Sequence, residues 1–136
     1  MPTTDETAKT ISKNNDYFDF NVISPISRSA NITYEISAVK SSNSTLDNND
    51  VKLYLEKNQL GKYVEVMEPT KFKTLTSKSD IGSEKGTMIL YKETVNKTTT
   101  DNYRLRMWLS DKAKVDNISR TFTVQVAIHA SVKANK

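Results

Sequence analysis

The sequence contains no cysteine, one histidine and three glycines in 136 residues. Without cysteine the chain has no disulfide, no thiolate metal ligand and no thiol nucleophile. A zinc site would depend almost entirely on carboxylates, which is uncommon, and no Ser-His-acid arrangement can be proposed from the spacing. Neither GxxxxGK(S/T) nor GxGxxG occurs, so a phosphate-binding loop is not expected. We therefore expect a protein that is not an enzyme, with no catalytic residue, no metal ligand and no cofactor.

Long apolar runs are also absent. No stretch approaches the roughly 18 consecutive apolar residues that a spanning helix needs, and the polar, acidic start lacks the basic and then apolar pattern of a signal peptide. We expect no membrane span and no leader in this chain. The 36% hydrophobic and 26% charged residues are typical of a soluble globular protein. A net charge of +4, from 20 basic and 16 acidic residues without long blocks, indicates solubility more than a partner.

The single histidine and two acidic loops are the remaining candidates for site chemistry. His129 stands between Ile128 and Ala130 in a predicted strand, where we expect a solvated surface residue. The loops at 47–50 and 111–117 carry Asp and Asn but lack the EF-hand spacing. Because Asx side chains bond nearby backbone amides, both loops are predicted as turns and not as calcium sites.

Alternation of apolar and polar residues is the main structural signal. Residues 1–15 have only Ala8 and Ile11 as larger apolar side chains, which predicts a flexible N-terminal segment. Residues 16–136 form one domain, with its clearest strands at 103–109 and 122–132. In the latter, Phe, Val, Val, Ile, Ala and Val alternate with mostly polar residues, as a strand buried on one side requires.

Further strands are predicted from the same pattern, while 68–85 is predicted as mostly loop; these strands lie at 17–22, 32–38, 51–55, 63–66 and 87–91. Gly61 is predicted as a turn residue. Seven or eight short strands without a convincing helix predict an all-β fold, an antiparallel two-sheet β-sandwich.

The run DNYRLRM at 101–107 resembles the tyrosine corner of immunoglobulin-like and fibronectin type III domains. In those families a Tyr near the start of the next-to-last strand bonds backbone just upstream through its hydroxyl. The resemblance implies an immunoglobulin-like sandwich with Tyr103 as the structural tyrosine corner. A jelly roll, which has the same alternation, is the competing topology.

The chain is also similar to surface proteins of Gram-positive bacteria, including TasA/camelysin-like biofilm fibre subunits. The shared features are abundant Lys and Asn, the absence of cysteine and a polar N-terminal segment. The similarity implies an exported protein, extracellular or at the cell surface of a bacterium. We expect a non-enzymatic structural or adhesive module, with other protein subunits as partners. As a fibre subunit, its N-terminal segment would add to another subunit's sheet edge by strand exchange.

Arg104, Arg106 and Trp108 alternate with apolar residues and form a candidate surface ligand face. One alternative function is carbohydrate binding, with Trp108, Tyr54 and Tyr91 as aromatic platforms. A less favoured one is nucleic-acid binding, in which the arginines pair with phosphates and the indole stacks on a base. The simplest interpretation is that the long Arg stems and the Trp cover the sheet and pair with nearby Asp and Glu.

Overall fold

The structure is a computed structural model that describes residues 2–10, 17–113 and 118–134. The predicted N-terminal segment is therefore described only over 2–10, and the predicted turn at 111–117 only over 111–113. Within these ranges the chain forms one short helix, one 3-10 turn and eight strands. They are β1 (Pro2–Thr3), α1 (Asp5–Thr10), β2 (Tyr17–Ser24), β3 (Ala30–Lys40), β4 (Val51–Gln59), β5 (Lys62–Lys71), the 3-10 turn (Phe72–Thr74), β6 (Met88–Val95), β7 (Thr99–Ser110) and β8 (Val124–Ala134).

The strands make two sheets, which confirms the predicted all-β sandwich. The front sheet has the order β1-β7-β4-β5, and β2 pairs with β7 on the same side as β1. The back sheet has the order β6-β3-β8. All pairs are antiparallel except β1 with β7, which is parallel. No helix in the described ranges is long and apolar enough to cross a bilayer.

The core lies between the inner faces of the two sheets. Tyr34 and Ile36 of β3, Leu53 and Leu55 of β4, and Tyr103 of β7 have no exposed surface. Period-two alternation in each strand directs these side chains inward, since successive residues point to opposite faces of a sheet. Burial of a Leu or Ile of this kind stabilises a fold by about 1.5–3 kcal/mol.

The β4–β5 hairpin shows why a glycine stands at position 61. Gln59 pairs with Lys62, so the turn has only two residues, and both Leu60 (φ 55°) and Gly61 (φ 86°) are left-handed. A two-residue turn with positive φ at both positions matches the right-handed twist of the strands. The turn predicted at Gly61 is present.

Two segments differ from the sequence-based expectation. The segment at 68–85 is not loop at its start, because β5 continues to Lys71 and a 3-10 turn buries Phe72. In β8 the predicted buried face is only partly covered, since Val124 is half-buried but Ile128 and Val132 are 42% and 67% exposed. The pairs Ile36 with Ile128 and Ile32 with Val132 direct these side chains inward. The front sheet does not cover this half of β8.

Candidate functional site

The predicted ligand face lies on the outer side of β7, where the structure brings its three residues together. Arg104 donates to both carboxylate oxygens of Asp19, at 2.8 and 3.0 Å. Its guanidinium lies between the rings of Tyr17 and Tyr63, 3.9 and 4.1 Å from their centres. The paired Asp19 carboxylate raises the pKa of Arg104 above its ordinary value. Arg104 is therefore held by neighbours in its own sheet.

The other two residues of this face are buried. Arg106 is 6% exposed and donates through Nε to Glu56 at 3.2 Å. Trp108 is 9% exposed and packs on Tyr54, itself 5% exposed. Tyr91 lies on β6 of the other sheet, so the three rings do not form one platform. All three residues of the predicted ligand face are thus paired with or packed on neighbouring side chains.

Residues 2–10, which we call the N-terminal cap, cover this part of the front sheet. Pro2 and Thr3 pair with Leu109 and Ser110 at the edge of β7. The helix α1 then crosses the outer face and buries Ala8 against the two rings of the Tyr54–Trp108 pair. The sequence predicts a flexible segment over 1–15, and residues 2–10 of that segment form β1 and α1.

Polar contacts also attach the cap to the front sheet. The Asp5 carboxylate accepts from Lys52 Nζ at 3.0 Å and from Trp108 Nε1 at 3.2 Å. Lys9 lies 3.4 Å from Glu65 and above the ring of Tyr54. A six-residue helix is not stable alone in water, so α1 depends on these contacts with the sheet.

A local signal for α1 was present in the sequence. Thr4 precedes the helix and its hydroxyl accepts from the Thr7 amide at 3.4 Å, as an N-cap does. Asp5 and Glu6 lie in the first turn and Lys9 in the last, which suits the helix dipole. Nothing in this pattern indicates where the helix packs.

An open groove runs between β2 of the front sheet and β8 of the back sheet, which lie at the same edge of the sandwich. We call it the edge groove. It has a volume of about 590 Å³ and its lining is mostly apolar, formed by Tyr17, Phe18, Leu105, Met107, Val124, Gln125 and Val126. Phe18 is 54% and Met107 36% exposed, although both lie on the inner side of the front sheet. The groove is an uncovered part of the core.

The edge groove is bordered by an unprotected strand. In the described part of the chain β8 pairs only with β3, and its single Lys, Arg, Asp or Glu residue is Lys133. By contrast, the edge strand β5 carries four charged residues and Pro69. Charge and proline are the usual protection of sheet edges against pairing with other chains. β8 has almost none.

A polar cluster links the two sheets inside the sandwich, and we call it the inter-sheet cluster: Tyr34, Lys57, Tyr91, Glu93, Asp101 and Tyr103. The Tyr103 hydroxyl bonds to the Tyr34 hydroxyl, which donates to Asp101 at 2.6 Å. Burial raises the pKa of both tyrosines. In a tyrosine corner, as predicted for Tyr103, the hydroxyl bonds to backbone just upstream. Here the Tyr103 hydroxyl bonds to the Tyr34 side chain of the facing sheet.

The ionic half of the inter-sheet cluster centres on Lys57. Its Nζ lies 3.3 Å from Glu93 Oε2 and 3.6 Å from Asp101 Oδ1. The Tyr91 hydroxyl donates to the same Glu93 oxygen at 2.6 Å. Burial, followed by this hydrogen bond, raises the pKa of Tyr91 to about 12. One cation is thus shared by two carboxylates from opposite sheets.

The remaining sequence candidates have structural roles. The Nε2 of His129 donates to the Ile81 carbonyl at 2.9 Å, so the ring anchors a loop. The Asp47 carboxylate accepts from the Asn49 amide at 2.8 Å, which is an Asx turn. Within the described ranges no group of three or more His, Cys, Asp or Glu side chains is arranged to hold a metal ion.

The comparisons with known proteins do not assign the chain to a family. No protein-family model, no curated protein and no solved structure matches it.

Proposed function

We propose that this protein is a non-enzymatic structural module that assembles with copies of itself by exchange of the N-terminal cap. The observation that carries the proposal is that residues 2–10 already add a strand and a helix to the front sheet. Residues 11–16 connect them to β2. Because a second copy offers the same acceptor surface, each contact of the cap is the same within one chain or between two.

The contacts of the cap make exchange energetically accessible. Only Ala8 is buried, β1 has two residues, and the ion pairs of Asp5 and Lys9 are partly exposed. Partly exposed ion pairs contribute about 0–1 kcal/mol each. Release of the cap also exposes the rings of Trp108 and Tyr54, and rebinding to a neighbour covers them again and recovers the same contacts. One-directional exchange gives an open chain or a ring, and reciprocal exchange gives a dimer.

The edge groove supplies a second surface for assembly. Antiparallel pairing of two β8 strands centred on Ile128 places Val124 opposite Val132, so apolar side chains meet on the groove side. In this register Lys133 lies opposite Thr123 and not opposite another lysine. An isologous contact of this kind, together with cap exchange, gives each subunit the two contacts that a fibre needs.

We infer an extracellular or cell-surface location in a bacterium from the similarity to Gram-positive surface proteins. The carbohydrate-binding alternative has less support, because Trp108 and Tyr54 lie beneath the N-terminal cap. Nucleic-acid binding is weakened in the same way, since the guanidinium groups of Arg104 and Arg106 pair with Asp19 and Glu56. A signal sequence upstream of residue 1 in the natural gene product would support the location.

Light scattering after size-exclusion chromatography tests the proposal. We expect the full chain to form dimers or larger species as concentration rises, and a variant lacking residues 1–15 to form nothing larger than the dimer that β8 pairing gives. Ala8→Asp places a charge beneath α1 and reduces assembly, whereas Glu6→Ala on its exposed side is the matched control. A full chain that stays monomeric at high concentration, or assembly unchanged by the deletion, would contradict cap exchange.

The edge groove is tested separately. Ile128→Lys places a charge on the groove side of β8 and is expected to reduce the largest species. Leu60→Lys, on the fully exposed β4–β5 turn, adds the same charge away from the groove. Equal effects of the two substitutions would show that only net charge matters and would remove β8 from the proposal.

A further inference from the structure

The inter-sheet cluster places a lysine amine against a carboxyl group on the neighbouring strand. Lys57 of β4 pairs with Tyr103 of β7, and Asp101 lies two residues away on the same face. The Lys57 Nζ is 3.6 Å from Asp101 Oδ1. Glu93, from the facing sheet, brings its Oε2 within 3.3 Å of the same Nζ. The β ladder therefore holds an amine, a carboxyl group and a second carboxylate in contact.

Hydrogen bonds fix both carboxyl groups in this arrangement. The Tyr34 hydroxyl donates to Asp101 Oδ2 at 2.6 Å, and the Tyr91 hydroxyl donates to Glu93 Oε2 at 2.6 Å. The side chains of Lys57 and Asp101 are only 15% and 13% exposed. Reacting groups that are held in contact and partly shielded from water behave as if at very high concentration.

We propose that Lys57 and Asp101 become joined by an intramolecular isopeptide bond. The Lys57 nitrogen attacks Cγ of Asp101, a C–N bond forms, and the C–Oδ1 bond breaks. The ammonium and the carboxylate together lose one water molecule: the nitrogen gives up two protons, and both leave with the Oδ1 oxygen. No electrons are transferred, and no co-reactant is consumed.

The neighbouring groups have defined roles in this step. Glu93 accepts a proton from the Lys57 nitrogen and passes it to the departing oxygen, so it ends as it began. The Tyr34 hydroxyl donates to Oδ2, where negative charge develops in the tetrahedral intermediate. Tyr91 holds Glu93 in position.

The geometry favours this pair over other lysine–carboxylate contacts. Among the described residues, Lys57 is the lysine whose Nζ lies within 4 Å of two different carboxylates. The pair of Lys92 and Asp80 is 46% and 68% exposed, so water surrounds it. An amide at Lys57 would bind β4 to β7 covalently in a chain that has no cysteine.

Intact-mass spectrometry of the purified, folded full chain tests the bond, with Lys57→Arg as the reference so that processing of the N-terminus cancels. We expect the unsubstituted chain to be lighter than its sequence by one water and the Lys57→Arg chain to have its full mass. Asp101→Asn is expected to give the same cross-linked product by loss of ammonia. Glu93→Gln is expected to keep its full mass while circular dichroism shows that it is folded.

Tryptic mapping locates the bond. The peptide 53–62, uncleaved at Lys57, is expected in covalent linkage with the peptide 98–104 that contains Asp101. Water loss that maps elsewhere, such as a succinimide at another aspartate, overturns the proposal. A full mass for the unsubstituted chain after overnight incubation, with normal cleavage at Lys57, also overturns it. These outcomes are independent of whether the N-terminal cap exchanges between subunits.

Discussion

Replacing Glu35 with Gln should destabilise the protein at neutral pH far more than at acid pH. Glu35 is 2% exposed on the outer side of β3. Its carboxylate accepts from Ser79 Oγ at 2.5 Å, Ser83 Oγ at 2.7 Å and the Asp80 amide at 3.2 Å. The Ser79 hydroxyl in turn accepts from three amides of the 81–83 turn. Glu35 thus anchors the whole 79–83 loop.

The magnitude follows from these contacts. A hydrogen bond to a charged group contributes about 1.5–3 kcal/mol, but the loop groups regain water when released. Both hydroxyls donate to Glu35 Oε1, so a Gln oxygen in that position can still accept from them, while its NH₂ group meets the Asp80 amide, which is also a donor. We therefore expect Glu35→Gln to lower the free energy of unfolding by about 2 kcal/mol at pH 7.

The pKa of Glu35 determines the pH range in which this side chain stabilises the fold. Burial raises the pKa of Glu35, but the bonds from Ser79, Ser83 and the Asp80 amide more than offset this, so its pKa lies below the ordinary 4.5. A lowered pKa stabilises the fold above pH 4.5, and this contribution is lost as pH falls through the folded-state pKa. The difference between the two proteins should shrink over that range.

Urea unfolding followed by Trp108 fluorescence, at several pH values, measures the effect. Hydrogen exchange of the 80–83 amides should quicken in the variant at pH 7. Glu35→Asp keeps the charge but shortens the side chain, so it shows how much of the effect depends on the charge and how much on the length of the side chain. Equal stability of Glu35→Gln and the unsubstituted chain at pH 7, or a difference that does not change with pH, would refute the reasoning.

Two further predictions concern the core. Burial raises the pKa of Tyr91 to about 12, so we expect the free energy of unfolding to fall as pH rises from 10.0 through that value. In an ultraviolet titration, part of the tyrosinate absorbance should therefore develop only well above pH 10.0. Tyrosines that all titrate near 10.0 would contradict this. Leu55→Ala should lower the free energy of unfolding in urea by about 2–5 kcal/mol, because Leu55 has no exposed surface. Leu60→Ala, on the exposed β4–β5 turn, should lower it by almost nothing. Similar losses in the two variants would contradict the placement of Leu55 in the core.

The alternation of side chains was sufficient to predict the fold class. In 103–109 and 32–38 it identified the inward-facing residues correctly, because every second side chain of a strand points to the same face of the sheet. It did not show which strands lie at an edge. The exposure of Ile128 and Val132 depends on what the facing sheet covers, and no local pattern of β8 contains that information.

The candidate ligand face shows the same limit. The sequence placed Arg104, Arg106 and Trp108 on one face, as the structure does. It did not reveal that α1 covers Trp108, because Asp5 and Trp108 are far apart in the chain and meet only after folding. The segment 1–15 was predicted to be flexible. In its described part, Ala8 packs on the Tyr54–Trp108 pair, and Asp5 and Lys9 form two ion pairs with the front sheet.

The strand pairing also explains where the edge groove lies. The strand β2 pairs with β7 in the front sheet, and β8 pairs with β3 in the back sheet. These two strands therefore lie on either side of the edge groove.

Cap exchange between subunits can be measured directly by disulfide trapping, since the chain has no cysteine of its own. Thr3 pairs with Ser110 across the β1–β7 contact, where neighbouring Cα atoms suit a disulfide. Mixing a Thr3→Cys chain with a Ser110→Cys chain under mild oxidation should yield a covalent heterodimer. Thr3→Cys mixed with Leu60→Cys is the control. A heterodimer specific to the first mixture is the predicted result, and equal yields from both mixtures, or none, would contradict assembly by exchange of the N-terminal cap.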